Sequence, residues 1–252
     1  WAGAKGLARA RGVLGAAARA ELDASGVQAL PALAFTAGVH PHEASTCDAD
    51  TMAALRELAR SPQCVAIGEC GLDYDRMRSP RAVQLEWFRR QVELAVELGL
   101  PLFVHERERD ASGGAPLGSS SDLLSVLDAC GVETAKVCVH CFTGAREVLR
   151  DYVSRGYRIG LTGFAGMQKR GAHLRALLSD GEIPLTQLMI ETDCPYMMPD
   201  RCYLPQGINV QGRKNEPCAM PAVCRAVAEC YSLPPSEVAV ETTACAKRFF
   251  GL

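Results

Sequence analysis

The sequence predicts a parallel α/β fold in which successive strand–helix units close into a barrel. Short apolar runs alternate with longer stretches of helical periodicity, the pattern of a parallel sheet covered by helices. The runs recur about every 20–36 residues, which is the length of one strand–helix unit. Six units are visible, whereas a full barrel has eight, so an open doubly wound sheet is the alternative fold. No G-x-G-x-x-G follows a strand, which argues against a dinucleotide-binding sheet.

Six short apolar runs are the strand candidates. They are rich in Val, Ile, Leu and Phe, as expected for strands buried inside a parallel sheet. The candidates are 33–39, 64–68, 100–105, 136–140, 157–163 and 187–192. A further run at 238–242 fits either a strand or a helix.

Helical stretches lie between these runs and carry ordinary start and stop signals. Asp48 or Asp50 can cap the first helix, and Gly99 ends the second. The predicted helices are 48–61, 80–99, 119–131 and 144–156, with another at 5–24. The aperiodic segments 106–121 and 195–217 are long loops, and loops of this length are often functional.

The composition is that of a globular protein with one sizeable core. The chain has 252 residues, 48% of them hydrophobic, and no run of 18 apolar residues, so no membrane span is expected. The net charge of −2 provides no general basic field, so phosphate binding must depend on a local cluster or a metal. Twelve cysteines are scattered through the chain, and we expect free thiols in a reducing compartment, the cytoplasm or else the nucleus.

Imidazoles and carboxylates stand at the ends of the predicted strands. His40, Glu69, His105, His140 and Asp193 each come at or just after the end of an apolar run. One such residue is more often a hydrogen-bonded surface or core group than a ligand. Because the carboxyl ends of all strands of a parallel barrel open on one face, five of them are expected to converge.

Converging imidazoles and carboxylates are suited to a divalent cation. This donor set fits Zn²⁺, Mn²⁺ or Fe²⁺, and carboxylates with retained water also fit Mg²⁺. The sequence has neither a G-x-S-x-G nucleophile motif nor a P-loop. A metal-activated water is therefore the expected nucleophile.

A series of motifs resembles the TatD family of metal-dependent deoxyribonucleases from about residue 33 to the end. The motifs are "AGVHPHE", "AIGECGLDYDR", "PLFVHER", "VHCFTG", "IGLTG", "LMIETDCPYMMP" and "KNEP". The resemblance implies a TIM (β/α) barrel of the metal-dependent hydrolase type. It also implies one or two divalent ions, with Mg²⁺ expected for activity and Zn²⁺ or Mn²⁺ as alternatives, and exonuclease or endonuclease action on DNA.

The resemblance assigns roles to the strand-end residues. Glu69, His105 and His140 match the metal ligands of the family, and Asp193 matches an acid that is a ligand or the base that orients water. His40 matches an active-site histidine near the metal and the scissile phosphate. For His42, we expect a place on the loop surface rather than ligation.

Phosphate binding requires hydrogen-bond donors near the metal. Arg107, two residues after His105, is the best placed of the strand-end cations. The resemblance implies that Asn215 and Glu216 contact the substrate, although from the residues alone they could cap the helix that begins at Pro217. The other candidate cations are Arg76, Lys169, Arg170, Arg213 and Lys214.

Two departures from the family pattern affect the expected domain organisation. The first strand of the family, with its opening metal-ligand motif, has no counterpart here, so the barrel is expected to lack that strand. We therefore divide the chain into a poorly matched N-terminal helical segment, 1–32, and a TatD-like barrel, 33–252. The second departure is the extra sequence after His105, within 106–121.

The leading function is hydrolysis of DNA phosphodiester bonds, with 3′-to-5′ action on single-stranded DNA. Two alternatives stay open. The same site could hydrolyse another ester or an amide, such as an aminoacyl-tRNA, or the chain could be an inactive fragment. We expect a monomer with DNA as its partner and no membrane association.

Overall fold

The computed structural model describes residues 33–108, 116–204, 206 and 214–252. The predicted helix at 5–24 and the predicted N-terminal segment 1–32 therefore lie outside the described residues, as do parts of both long loops. All twelve cysteines lie in the described ranges, and all are free thiols. Within those ranges, no helix is long and apolar enough to cross a membrane.

Six strands form one sheet in their order along the chain. Every neighbouring pair in the sheet is parallel. This sequential parallel order is the arrangement of a (β/α) barrel rather than of a doubly wound sheet. The strands are β1 (Phe35–Ala37), β2 (Cys64–Asp73), β3 (Leu102–Arg107), β4 (Val137–His140), β5 (Arg158–Leu161) and β6 (Leu188–Ile190).

The described part of the chain also forms seven α-helices. They are α1 (Thr51–Ala59), α2 (Arg81–Leu98), α3 (Ser119–Ala129), α4 (Arg146–Ser154), α5 (Ala172–Ser179), α6 (Met220–Tyr231) and α7 (Pro235–Phe250). The run at 238–242, which fitted a strand or a helix, lies inside α7. Within it Val238 is buried and Val240 is 65% exposed, so the run has a single buried face of a helix.

The strand β2 is longer than the sequence pattern predicted. The prediction ended it at Gly68, because glycine weakens a strand interior, but β2 continues to Asp73. Its pairing with β3 shifts after Gly68, so that Gly68 faces Phe103 and Cys70 faces Val104. Glu69 has no partner on β3, and this bulge gives its side chain a direction that the regular ladder would not provide.

The glycines of β2 allow β3 to approach closely. Gly71 has a φ of 140°, and a Cβ atom there would overlap the carbonyl oxygen of His105. We expect Gly71→Ala to lower the free energy of unfolding by about 3 kcal/mol and Tm by roughly 6–12 °C. Thermal unfolding measures both changes.

Gly99→Ala is the matched control for this substitution. Gly99 also has a positive φ, 66°, but a Cβ atom there would meet nothing within 4 Å. Its replacement should therefore lower the free energy of unfolding by only about 1–2 kcal/mol, the cost of placing alanine in a left-handed backbone conformation. Equal losses for the two variants would show that the close approach of β2 and β3 adds no strain.

Candidate metal centre

Four side chains from neighbouring strands meet at one oxygen atom. The Oε1 atom of Glu69 lies 2.8 Å from Nδ1 of His105, 2.6 Å from Nε2 of His140 and 3.3 Å from Nε2 of His40. His105 and His140 are register partners on β3 and β4, Glu69 lies in β2, and His40 follows β1. The predicted convergence at the carboxyl ends of the strands is therefore present for these four residues.

The outward nitrogens of two histidines face further carboxylates. Nε2 of His105 lies 3.4 Å from Oδ2 of Asp73, and Nδ1 of His140 lies 3.3 Å from Oε1 of Glu191. A histidine that ligates a metal commonly donates its other ring N–H to a carboxylate. The residues therefore fit a divalent cation, with Nδ1 of His105 and Nε2 of His140 turned towards Glu69.

His40 is bound differently from the other two histidines. Its Nδ1 accepts the backbone N–H of His42 at 3.1 Å, where His40 caps the 3₁₀ helix Pro41–Thr46. Burial lowers the pKa of His40 in spite of the hydrogen bond with Glu69, which favours the neutral ring with its proton on Nε2. His40, Glu69 and His105 could together hold an ion, since one ligand atom from each lies within 4.8 Å of the others. The proton on Nε2 favours a role as hydrogen-bond donor for His40.

His42 belongs to the cluster, and its predicted place on the loop surface is wrong. Its Nε2 lies 2.6 Å from Oδ2 of Asp73, and its side chain is only 11% exposed. Asp73 is fully buried, and Gln84 holds its backbone by accepting its N–H at 2.8 Å and donating to its carbonyl at 3.0 Å. The pattern "GECGLDYDR" contained Asp73, but only the pairing of β2 with β3 places it beneath His105 and His42.

The cluster keeps its carboxylates ionised. Burial opposes the charge of Glu69, but His140, His105 and His40 together hold its pKa well below the usual range. The pKa of Asp73 is likewise lowered, because hydrogen bonds from His105, Arg76 and His42 outweigh its burial. The pKa of His140 is raised, since the charges of Glu191 and Glu69 outweigh burial. Ionised carboxylates are the form that binds a cation.

Asp193 lies next to the cluster, just after β6. Burial raises the pKa of Asp193; the charge of His140 opposes this, and the charges of Glu191 and Glu69 reinforce it. Its φ of 52° is left-handed, a conformation that Asp tolerates better than most residues. The carbonyl of Asp193 accepts the N–H of Tyr196 at 2.9 Å, which closes the turn after the strand.

Glu191 is a site residue that the sequence reasoning did not name. Its Oε1 accepts the backbone N–H of Cys141 at 2.7 Å beside its contact with His140. Gly160 makes room for it, because a Cβ atom there would lie 2.7 Å from the same oxygen. The acid precedes Asp193 by two residues, and this alternation at a strand end was the available signal.

Three further predicted substrate contacts, besides His40, have different surroundings. Arg107 ends β3 and lines a groove next to the cluster. Asn215 is buried, and its Nδ2 donates to the carbonyls of Thr192 at 2.7 Å and Met197 at 3.3 Å, which fixes the chain on both sides of Asp193. The exposed Glu216 accepts a weak hydrogen bond from the Cys218 thiol, with 3.8 Å between the sulfur and Oε2. Substrate binding by these residues stays a prediction.

A family model described as TatD-related DNase matches residues 21–251. The chain belongs to this family. The family assignment confirms the resemblance read from the motifs, and the match begins sixteen residues before the first of them, which starts at Ala37.

Curated relatives of the family cover most of the chain. The 3′-5′ ssDNA/RNA exonuclease TatD of Cronobacter sakazakii is 40% identical over 215 residues, 85% of this chain and 76% of the relative. The protein of the same name from Erwinia tasmaniensis is 40% identical over 217 residues, 86% of this chain and 78% of the relative.

Solved structures of family members share the fold. A TatD family hydrolase from Entamoeba histolytica superimposes with a TM-score of 0.75 at 26% identity, over 92% of this chain and 79% of that one. The TatD homologue YJJV from Escherichia coli gives 0.71 at 24% identity, over 93% and 82% of the two chains. The predicted barrel-type α/β fold is thereby confirmed.

Proposed function

We propose that this chain is a metal-dependent deoxyribonuclease that removes nucleotides from the 3′ end of single-stranded DNA. The observation that carries the proposal is the meeting of His105 and His140 at one oxygen of Glu69, with Asp193 alongside. The relatives named 3′-5′ ssDNA/RNA exonuclease TatD support hydrolysis of phosphodiester bonds and the 3′-to-5′ direction.

Glu69, His105, His140 and Asp193 would hold the ion. Their nitrogen and carboxylate donors suit Mn²⁺ or Zn²⁺, and with retained water they suit Mg²⁺, which we propose for activity, as one or two ions. When bound, the ion acts as a Lewis acid on the phosphoryl group and makes water a better nucleophile.

The remaining steps fall to residues of the chain. His40 would donate its Nε2–H to an oxygen of the scissile phosphate, because that proton faces the cluster. Asp193 would orient the attacking water and accept its proton, and a raised pKa makes a carboxylate a better proton acceptor. Arg107, two residues beyond His105, would hold a phosphate by its guanidinium.

We further propose that the protein acts as a monomer in the cytoplasm. Twelve free cysteines, five of them with intermediate or exposed surroundings, fit a reducing compartment better than an oxidising one. Light scattering after size exclusion would test the monomer.

The experiment uses a single-stranded oligonucleotide labelled at its 5′ end. With Mg²⁺ we expect a ladder of products shortened one nucleotide at a time from the 3′ end. EDTA should abolish the ladder, and excess Mg²⁺ should restore it. A phosphorothioate linkage at the 3′ end is the control and should slow the first step.

Four results would contradict the proposal. Full activity in EDTA would exclude the metal, and loss of the 5′ label before the 3′ end shortens would reverse the polarity. Hydrolysis of an aminoacyl ester without DNA cleavage would favour the alternative that the site hydrolyses another ester or amide. A folded protein that is inactive on both substrates would favour the alternative of an inactive fragment.

A further inference from the structure

A groove of about 250 Å³ opens beside the metal centre. One wall is formed by residues that directly follow the ligands along the chain: Arg107 comes two residues after His105, and Thr143 comes three after His140. The lining also contains Phe164, from the 3₁₀ helix Gly163–Gly166, and Arg170. The groove therefore contains residues that lie within three positions of two proposed ligands along the chain.

The groove offers two guanidinium groups to an anion. Within the described ranges, neither Arg107 nor Arg170 has a carboxylate oxygen within 4.0 Å, whereas arginines such as Arg146 and Arg175 do. Arg170 is exposed, and its guanidinium carbon lies 5.7 Å from the centre of the Phe164 ring. Unpaired arginines beside an aromatic ring are the groups that bind phosphate and stack on a base.

Three acidic residues line the groove, and two of them, Glu106 and Glu108, are engaged in hydrogen bonds within the chain. Glu108 accepts the backbone N–H groups of Leu117, Gly118 and Ser119 at 2.7, 2.8 and 3.0 Å, so its carboxylate is directed at the start of α3. Glu106 is buried and accepts the hydroxyl of Ser119, and burial raises its pKa. Glu106 and Glu108 are thus held by hydrogen bonds at the start of α3, and the third acid of the groove, Asp75, is exposed.

The wall nearest to the ligands is held in place by His173. Its Nε2 donates to the carbonyl of Thr143 at 2.9 Å, and its ring packs edge-on against Phe164 with 5.7 Å between the centroids. This contact connects the loop after His140 to the start of α5. His173 is itself exposed, and these two contacts fix the shape of the groove.

We propose that this groove is the subsite for the nucleotide next to the scissile bond. The phosphate of that nucleotide lies between Arg107 and Arg170, and its base packs against the half-buried Met197. The inference rests on the proposed function. It adds that the enzyme recognises a polynucleotide strand through the phosphate next to the scissile one. A substrate with a single phosphodiester and no second phosphate would use the metal centre alone.

The test compares two substrates in wild type and Arg170→Ala. For a single-stranded oligonucleotide, we expect KM to rise about 5–20-fold with kcat changed less than about twofold, because a charged hydrogen bond to a non-reacting phosphate is lost. For bis(p-nitrophenyl) phosphate, we expect kcat/KM to stay within about twofold. Arg170→Glu should raise KM for the oligonucleotide further, since it places a negative charge beside the phosphate.

Arg60→Ala is the matched control. Arg60 follows α1 and pairs with Glu57 on the surface, where the two side chains are 68% and 60% exposed. Its replacement should leave the kinetic constants for both substrates unchanged. In a Glu69→Ala background, anisotropy of a labelled oligonucleotide measures binding without cleavage. There, Arg170→Ala should reduce the slope of log K against log salt by about 0.7, the value for one phosphate contact on a single strand.

An unchanged oligonucleotide KM and an unchanged salt slope in Arg170→Ala would overturn the subsite. A parallel loss on both substrates would also overturn it, because it would place Arg170 at the metal centre. Failure of the proposed function has a different signature: wild type would then hydrolyse neither phosphodiester in a metal-dependent way.

Discussion

Replacing Glu69 with alanine is expected to lower kcat/KM on single-stranded DNA by on the order of 10³-fold or more. The Oε1 atom of Glu69 is the common partner of His40, His105 and His140, so its removal takes the negative charge from the centre of the donor set. The variant should also lose the rise in Tm that Mg²⁺ or Mn²⁺ gives to wild type, since only the native site binds the ion. Initial rates and thermal unfolding with and without the ion measure the two effects.

Glu57→Ala is the control for this prediction. Glu57 lies on α1, and its side chain is 60% exposed in a surface pair with Arg60. Surface pairs contribute roughly 0–1 kcal/mol, so activity and the response of Tm to the ion should match wild type. A Glu69→Ala protein that keeps its metal-dependent rise in Tm would show that the ion binds elsewhere.

Asp193→Asn is expected to reduce kcat by about 10²–10⁴-fold with a much smaller change in KM. The amide has nearly the shape of the carboxylate but cannot accept the proton of the attacking water. Because Asn also tolerates the left-handed φ of 52° at this position, the turn after β6 should keep its conformation. Separate determination of kcat and KM on an oligonucleotide measures the effect.

Asp128→Asn serves as the matched substitution on the surface. Asp128 pairs with Arg155 at 2.6 Å, and its side chain is 57% exposed, so kcat should stay at the wild-type value. If Asp193→Asn changed KM and left kcat intact, the residue would contribute to binding rather than to proton transfer.

The general position of the site was predictable from the sequence, because parallel strands present their carboxyl ends on one face. His40, Glu69, His105 and His140 were found by that rule, and each of the three histidines contacts Glu69. The rule says which strand end a residue occupies and does not say which atoms meet.

The partners of the proposed ligand histidines were harder to predict. Asp73 lies four residues beyond Glu69, and the predicted strand had already ended at Gly68. Only the shifted pairing of β2 with β3 places Asp73 opposite Arg107 and within 3.4 Å of His105. Asn215 shows the same limit. Its buried amide donates hydrogen bonds to two carbonyl groups about 20 residues away in the sequence, and no local sequence pattern identifies these partners.

The hydrogen bonds of Glu108 have a consequence for how this family can diversify. They close the chain on itself between Glu108 and Leu117, so the two ends of the intervening stretch are fixed independently of its length. Insertions or deletions between these residues can therefore accumulate over evolution without displacing His105. The stretch after "VHER", where extra sequence was predicted, is a place where descendants of a common ancestor could acquire new substrate preferences while the proposed reaction centre is inherited unchanged.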